Sequence, residues 1–204
     1  RPQVELSRAC WQRREQAVGI WPGHAGHAGQ ASTWTRIQDS VVGQQGNMAK
    51  KLNSMRLLES HGVSYSVLTF PDTIHSASGV AAYCGLPPSQ VYKTLVVARS
   101  QGKPALILLA GDREIQLKRL AHALGEKTLR MATQKEAETW TGLKVGGISA
   151  LALTHRGFPV YIDHTVLALE ELLVSAGQRG VDVRLTVAAF LRVTGATVVQ
   201  ATEP

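Results

Sequence analysis

Two apolar runs separated by a short glycine-containing stretch do most to limit the fold. Residues 91–98, VYKTLVVA, and 104–110, PALILLA, flank SQGK at 100–103. Runs of this length, rich in Val, Leu and Ile around a short glycine-containing turn, read as a β-hairpin. Lys93 interrupts the first run. In a regular strand Val91, Lys93 and Leu95 share one face and Tyr92, Thr94 and Val96 the other. Two readings stand for that lysine. It points to water from an edge strand, where lysines are common, or its ammonium is held at a pocket mouth to bind a phosphate or a substrate oxygen.

The chain has 204 residues, enough for one good core. Its 44% hydrophobic content suits a globular protein rather than a disordered one. No run approaches the roughly 18 apolar residues of a membrane span. The opening residues, RPQVELSRACWQRRE, lack the apolar core of a secretion signal. Cys10 and Cys84 match no metal or redox spacing, so a reducing cytoplasm is the expected setting. A formal charge of +7 favours a polyanionic partner such as RNA. The 5% aromatic content argues against a stacking platform that reads many bases.

Residues 1–47 differ from the rest. They hold three of the four tryptophans and no Lys, Phe or Tyr. GIWPGHAGHAGQAS shows no sustained period, and His24 and His27 lack the further ligands of a metal site. The segment is expected to be an N-terminal extension, disordered or foreign to the domain, without chemistry of its own. The domain itself is expected over 48–204.

From residue 48 the pattern becomes regular. Leu52, Met55 and Leu58 follow helical spacing up to Gly62. Residues 63–70 alternate as a strand. Residues 76–85 read as a helix with Ser76 as N-cap. Helices are also predicted at 115–125, at 133–142 with Thr133 and Glu136 as a capping box, and at 186–195 behind Thr186. Further strands are expected at 128–132, 158–163, 171–177, 181–185 and 196–201. Many strands with short helices between them, without strict βαβ alternation, indicate an α+β fold with a mixed or barrel-like sheet.

No Ser-His-Asp order, HExxH, P-loop or GxGxxG opening a helix is present. Two glycine-rich loops remain beside Lys93. In VGGISALAL, 145–153, paired glycines precede what reads as an apolar strand. This is either a tight turn or a place where a ligand approaches the backbone and N–H groups hold a carbonyl or carboxylate. VSAGQRGVDV, 174–183, is either a plain hairpin with Asp182 in water or a loop whose Ser175 and Asp182 line a site.

Together QVYKTLVV, LAHALGEKTLRMAT, TGLKVGGISAL, FPVYID and VSAGQRGVDV resemble the YbaK/EbsC family. The similarity is greatest to its Cys-tRNA(Pro) deacylase branch, related to the editing insertion of bacterial prolyl-tRNA synthetases. It covers about residues 52–200, in order and with nearly matching spacing. The resemblance implies an α+β fold with a mixed, largely antiparallel barrel-like sheet and surrounding helices. It implies hydrolysis in trans of mischarged Cys-tRNA(Pro). Ala-tRNA(Pro), a broader aminoacyl-tRNA set, or a non-catalytic tRNA-binding module of the same fold are the alternatives. It assigns Lys93 and Gly146 to catalysis. It assigns Phe70, Ser76, Thr94, Gly147, Ile148, Ser149, Ser175 and Asp182 to substrate binding. The expected partners are the acceptor end of a mischarged tRNA and, as a docking candidate, prolyl-tRNA synthetase; no cofactor, metal or membrane is expected. An activated ester needs positioning and charge stabilisation more than a strong nucleophile. The expected attacking group is therefore the substrate's own thiol or a water held by the ribose hydroxyl. Three positions depart from the close relatives: Phe70 for tyrosine, Ser76 for phenylalanine, and Ala150 for the proline of GGISP. The basic segments 119–130 and 154–159 contact the acceptor stem or are simply solvated.

Overall fold

A computed structural model of the chain describes residues 51–203, so the expectations for residues 1–47 lie outside the described residues. The elements follow the sequence closely. Helix α1 spans Asn53–Ser60, β1 Ser66–Thr69 and α2 Ala77–Cys84. The hairpin is β2 (Val91–Arg99) and β3 (Ala105–Ala110). Next come α3 (Leu117–Leu124), β4 (Leu129–Met131) and α4 (Gln134–Thr141). A one-and-a-bit-turn helix α5 (Ala150–Leu153) precedes β5 (Val160–Asp163). The fold closes with β6 (Glu171–Gln178), β7 (Val181–Thr186), α6 (Val187–Thr194) and β8 (Thr197–Val199).

The predicted caps are in place. Ser76, Thr133 and Thr186 each accept a backbone N–H at the start of their helices, and Thr133 and Glu136 close a reciprocal capping box. One expectation is corrected. Residues 150–153 form helix rather than strand, because Ser149 Oγ accepts the Ala152 N–H and caps a turn. Four apolar residues carry too little periodicity to separate the two states. Ala150 is the first residue of this turn, a place that also suits the proline of the usual pattern.

The sheet runs β1-β7-β6-β2-β3-β5-β8, with β4 added to β2. Pairs β1/β7, β6/β7, β2/β3 and β2/β4 are antiparallel; β2/β6, β3/β5 and β5/β8 are parallel. The α+β class and the mixed, largely antiparallel sheet therefore match expectation. Strands β1 and β8 end the path, so the sheet is not a strictly closed barrel. Strand β3 is buried along its whole length because both faces are covered. Leu106 and Leu108 join the main core with Leu58, Leu151 and Phe190. Ile107 and Leu109 join a second cluster with Val97 and Leu120.

The edge-strand reading of Lys93 is excluded, because β2 is internal. One flank is fully paired with β3, where Lys93 lies opposite Leu109. The other flank is shared. Parallel β6 takes Val91 and Tyr92, and antiparallel β4 takes Val97 to Arg99. Between these partners the flank is open.

Candidate active site

The opening in the sheet leads into a cavity of ≈ 340 Å³. Val91, Tyr92, Lys93, Thr94 and Leu95 all line it. Consecutive residues point to alternate faces of a strand, so all five reach one cavity only because it lies along the strand's edge. The Ala132 N–H donates to Val96 O, which fixes the direction of the Val96 backbone toward the β4 flank. Two residues earlier, Thr94 turns its own N–H and C=O the same way, into the gap. Its side-chain Oγ1 is buried and makes no hydrogen bond. The cavity wall thus presents polar groups that the fold itself leaves unused.

Three other segments complete the wall. The first is the stretch leading into α2. Phe70, Ile74, His75 and Ser76 line the cavity, and Ser76 Oγ is already engaged with the Gly79 N–H at 3.1 Å. The second is the turn before α5. The Gly147 N–H closes this turn on Lys144 O at 2.8 Å. Gly146 stands at φ +89°, a left-handed conformation that side chains disfavour. A Cβ there would lie 3.4 Å from His75 Nδ1. Among the described residues the Gly146 N–H has no hydrogen-bond partner. The turn is held from both sides: Glu138 Oε1 accepts the Val145 N–H at 3.1 Å, and Arg179 Nε donates to Val145 O at 2.7 Å. Lys144, the Val145 N–H and Gln134 keep the Glu138 carboxyl well below its ordinary range, at about 2, so this brace stays charged.

The third segment is the β6–β7 hairpin, where Ser175 pairs with Asp182 just before a bulge. Ser175 Oγ accepts the Gly177 N–H at 3.3 Å. Asp182 is 6% exposed, lines the cavity, and its carboxylate has no hydrogen-bond partner among the described residues. Burial pushes its pKa up to about 7. At neutral pH it is therefore poised between charged and neutral forms.

Lys93, Gly146, Phe70, Ser76, Thr94, Ile148, Ser175 and Asp182 are brought together around this cavity. Gly147 and Ser149 are not among the residues that line it. Ser149 caps α5. Gly147 makes room, since a Cβ there would stand 2.7 Å from Arg179 N and 2.9 Å from Gln178 C. Those are backbone atoms that cannot swing aside. Gly147→Ala is expected to destabilise the fold by about 1–3 kcal/mol through overpacking, read by urea unfolding, and to displace the Gly146 turn.

Sequence reasoning missed His75, Glu114, Val145 and Arg179. Glu114 Oε1 accepts from Lys93 Nζ at 3.3 Å, and both line or border the cavity. No local pattern marks a rim residue of this kind. Behind the wall, the Tyr92 hydroxyl meets Thr165 Oγ1 at 3.2 Å, and Thr165 donates to Asp163. Asp163 is fully buried and also accepts the Ala201 and Thr202 N–H groups. Burial would raise its pKa, but these hydrogen bonds outweigh it and hold the carboxyl below its ordinary value.

A family model described as "Aminoacyl-tRNA editing domain" matches residues 72–193. The chain is 33% identical over 147 residues to the Enterococcus faecalis protein described as "Putative Cys-tRNA(Pro)/Cys-tRNA(Cys) deacylase EbsC", covering 71% of this chain and 89% of that one. It is 38% identical over 72 residues to a "Proline--tRNA ligase" of Nitratidesulfovibrio vulgaris, covering 35% of this chain and only 12% of the ligase. A solved structure titled "Crystal structure of a putative trans-editing enzyme for prolyl tRNA synthetase" superposes with a TM-score of 0.65 at 26% identity, over 76% of this chain and 100% of that one. The chain belongs to the aminoacyl-tRNA editing domain family. No helix among the described residues is long and apolar enough to cross a membrane.

Proposed function

We propose that this protein is a trans-acting aminoacyl-tRNA deacylase that clears Cys-tRNA(Pro). The observation that carries the reading is the convergence of Lys93, Gly146 and Asp182, distant in sequence, on one cavity. In this reading the Lys93 ammonium holds the phosphate of the 3′-terminal nucleotide. The free Gly146 N–H receives the ester carbonyl and the oxyanion that develops from it. Asp182 lies beside the substrate's α-ammonium, which favours its charged form. Tyr92 stays neutral, since burial pushes its pKa up to about 12.

The attacking group comes from the substrate. With cysteine, the thiol sulfur bonds to the carbonyl carbon, the ester C–O bond breaks, and the thiol proton passes to the ribose oxygen. The resulting thiolactone hydrolyses after release. With other amino acids, a water held by the ribose hydroxyl attacks instead. Activated esters require little beyond this positioning.

Ser76, where the resemblance puts phenylalanine in the close relative, changes the side chain at the cavity wall, and Ala-tRNA(Pro) is the second reading. Incubating the protein with Cys-tRNA(Pro) and Ala-tRNA(Pro) separates them. Faster loss of cysteine supports the first, and faster loss of alanine the second. Stable esters in both cases would leave a tRNA-binding module. A prolyl-tRNA synthetase is the expected docking partner, and the cytoplasm the expected place of action.

A further inference from the structure

Glu114 is the one cavity-lining carboxylate that reaches Lys93. It sits on the turn after β3, and that turn is fixed at both ends. The Gly111 N–H donates to Pro88 O at 2.9 Å, and the Gln116 N–H donates to Ala201 O at 2.7 Å. Within it the Arg113 N–H returns to Ala110 O, and the Arg113 side chain donates to Glu203 O. The backbone is therefore held while the Glu114 side chain stands 88% exposed. Its one polar contact is the Lys93 ammonium, whose side chain is 25% exposed. Lys93 in turn has no other polar partner among the described residues.

From this geometry we infer that Glu114 is an internal competitor for the anion site of Lys93: it occupies that site until a phosphate displaces it. The inference rests on the deacylase reading only for the identity of that phosphate. An ion pair with one partner in water is weak, so displacement costs little. A neutral ester brings nothing to exchange for the carboxylate. A nucleotide phosphate does, because it brings an anion of its own to the ammonium. Glu114 thereby weakens the hold of Lys93 on a phosphate-bearing end while leaving neutral ligands unaffected.

The test is a binding experiment that does not depend on turnover. Adenosine 5′-monophosphate and adenosine are titrated into the wild type, Glu114→Gln, Lys93→Gln and the double variant. Glu114→Gln is expected to bind the monophosphate up to about five-fold more tightly, with adenosine unchanged. The gain is expected to vanish when Lys93 is also replaced, a non-additivity that a merely structural role would not produce. Steady-state deacylation should show the same change as a lower KM for aminoacyl-tRNA. Equal monophosphate affinity in wild type and Glu114→Gln would overturn the inference. So would a gain that persists without Lys93, or an equal gain for adenosine. A wild-type protein that binds the monophosphate as described but hydrolyses neither Cys-tRNA(Pro) nor Ala-tRNA(Pro) would overturn the deacylase reading and leave this one standing.

Discussion

Lys93→Ala is expected to lose at least about a hundred-fold in kcat/KM for deacylation, the scale of losing one well-placed charge-stabilising donor. The fold should hardly respond. The lysine's side chain makes one weak contact, to an exposed carboxylate, and the pairing of β2 with β3 uses backbone groups alone. Its unfolding free energy should stay within about 1 kcal/mol of wild type. Single-turnover deacylation together with urea unfolding checks both halves. Full activity in a folded Lys93→Ala protein would remove the proposed mechanism, whatever the substrate.

The second large effect is on stability and depends on pH. Asp182 titrates near 7 in the folded protein against an ordinary 3.8, because burial disfavours its charge. Its folded pKa is raised, so the folded state holds the proton longer than the unfolded chain does. Below the unfolded value both states are protonated and Asp182 costs nothing. As pH rises from there toward 7, the unfolded chain ionises first and stability falls. Above 7 both states are ionised and the penalty is constant. Asp182→Asn removes the titration. Its stability should match wild type near pH 4 and exceed it by on the order of 4 kcal/mol at pH 8. Urea unfolding at the two pH values reads the difference directly. A constant gap across that range would mean that the carboxylate finds a partner when ionised. In the proposed function the same variant loses activity, so this site trades stability for ligand recognition.

Much of this was legible in advance. The hairpin and the three capped helices came from local patterns, since turn residues and N-caps act within a few positions of themselves. Lys93, the two glycine-rich loops, Ser175 and Asp182 stood out as candidates from the residues themselves, the family resemblance completed the set, and eight of the ten candidates line one cavity. What was not legible depends on distant segments. That β2 lies inside the sheet, and that its second flank is divided between β6 and β4, follows from pairings across tens of residues. Glycine at 147 answers to the backbone of Gln178 and Arg179. Glu114 reaches Lys93 only because the turn after β3 is tied to the C-terminal segment at Ala201 and Glu203.

The divided flank has a consequence for dynamics. Amides deep in a buried strand ordinarily exchange with solvent deuterium only through large opening events. Here the Thr94 N–H faces the gap, while its neighbours on the same flank are covered by β6 and β4. In the ligand-free protein it should exchange orders of magnitude faster than the Val97 region of the same strand. Occupying the cavity should slow it without altering the rest of β2. A single amide in the middle of the sheet then reports, residue by residue and in real time, whether the site is filled.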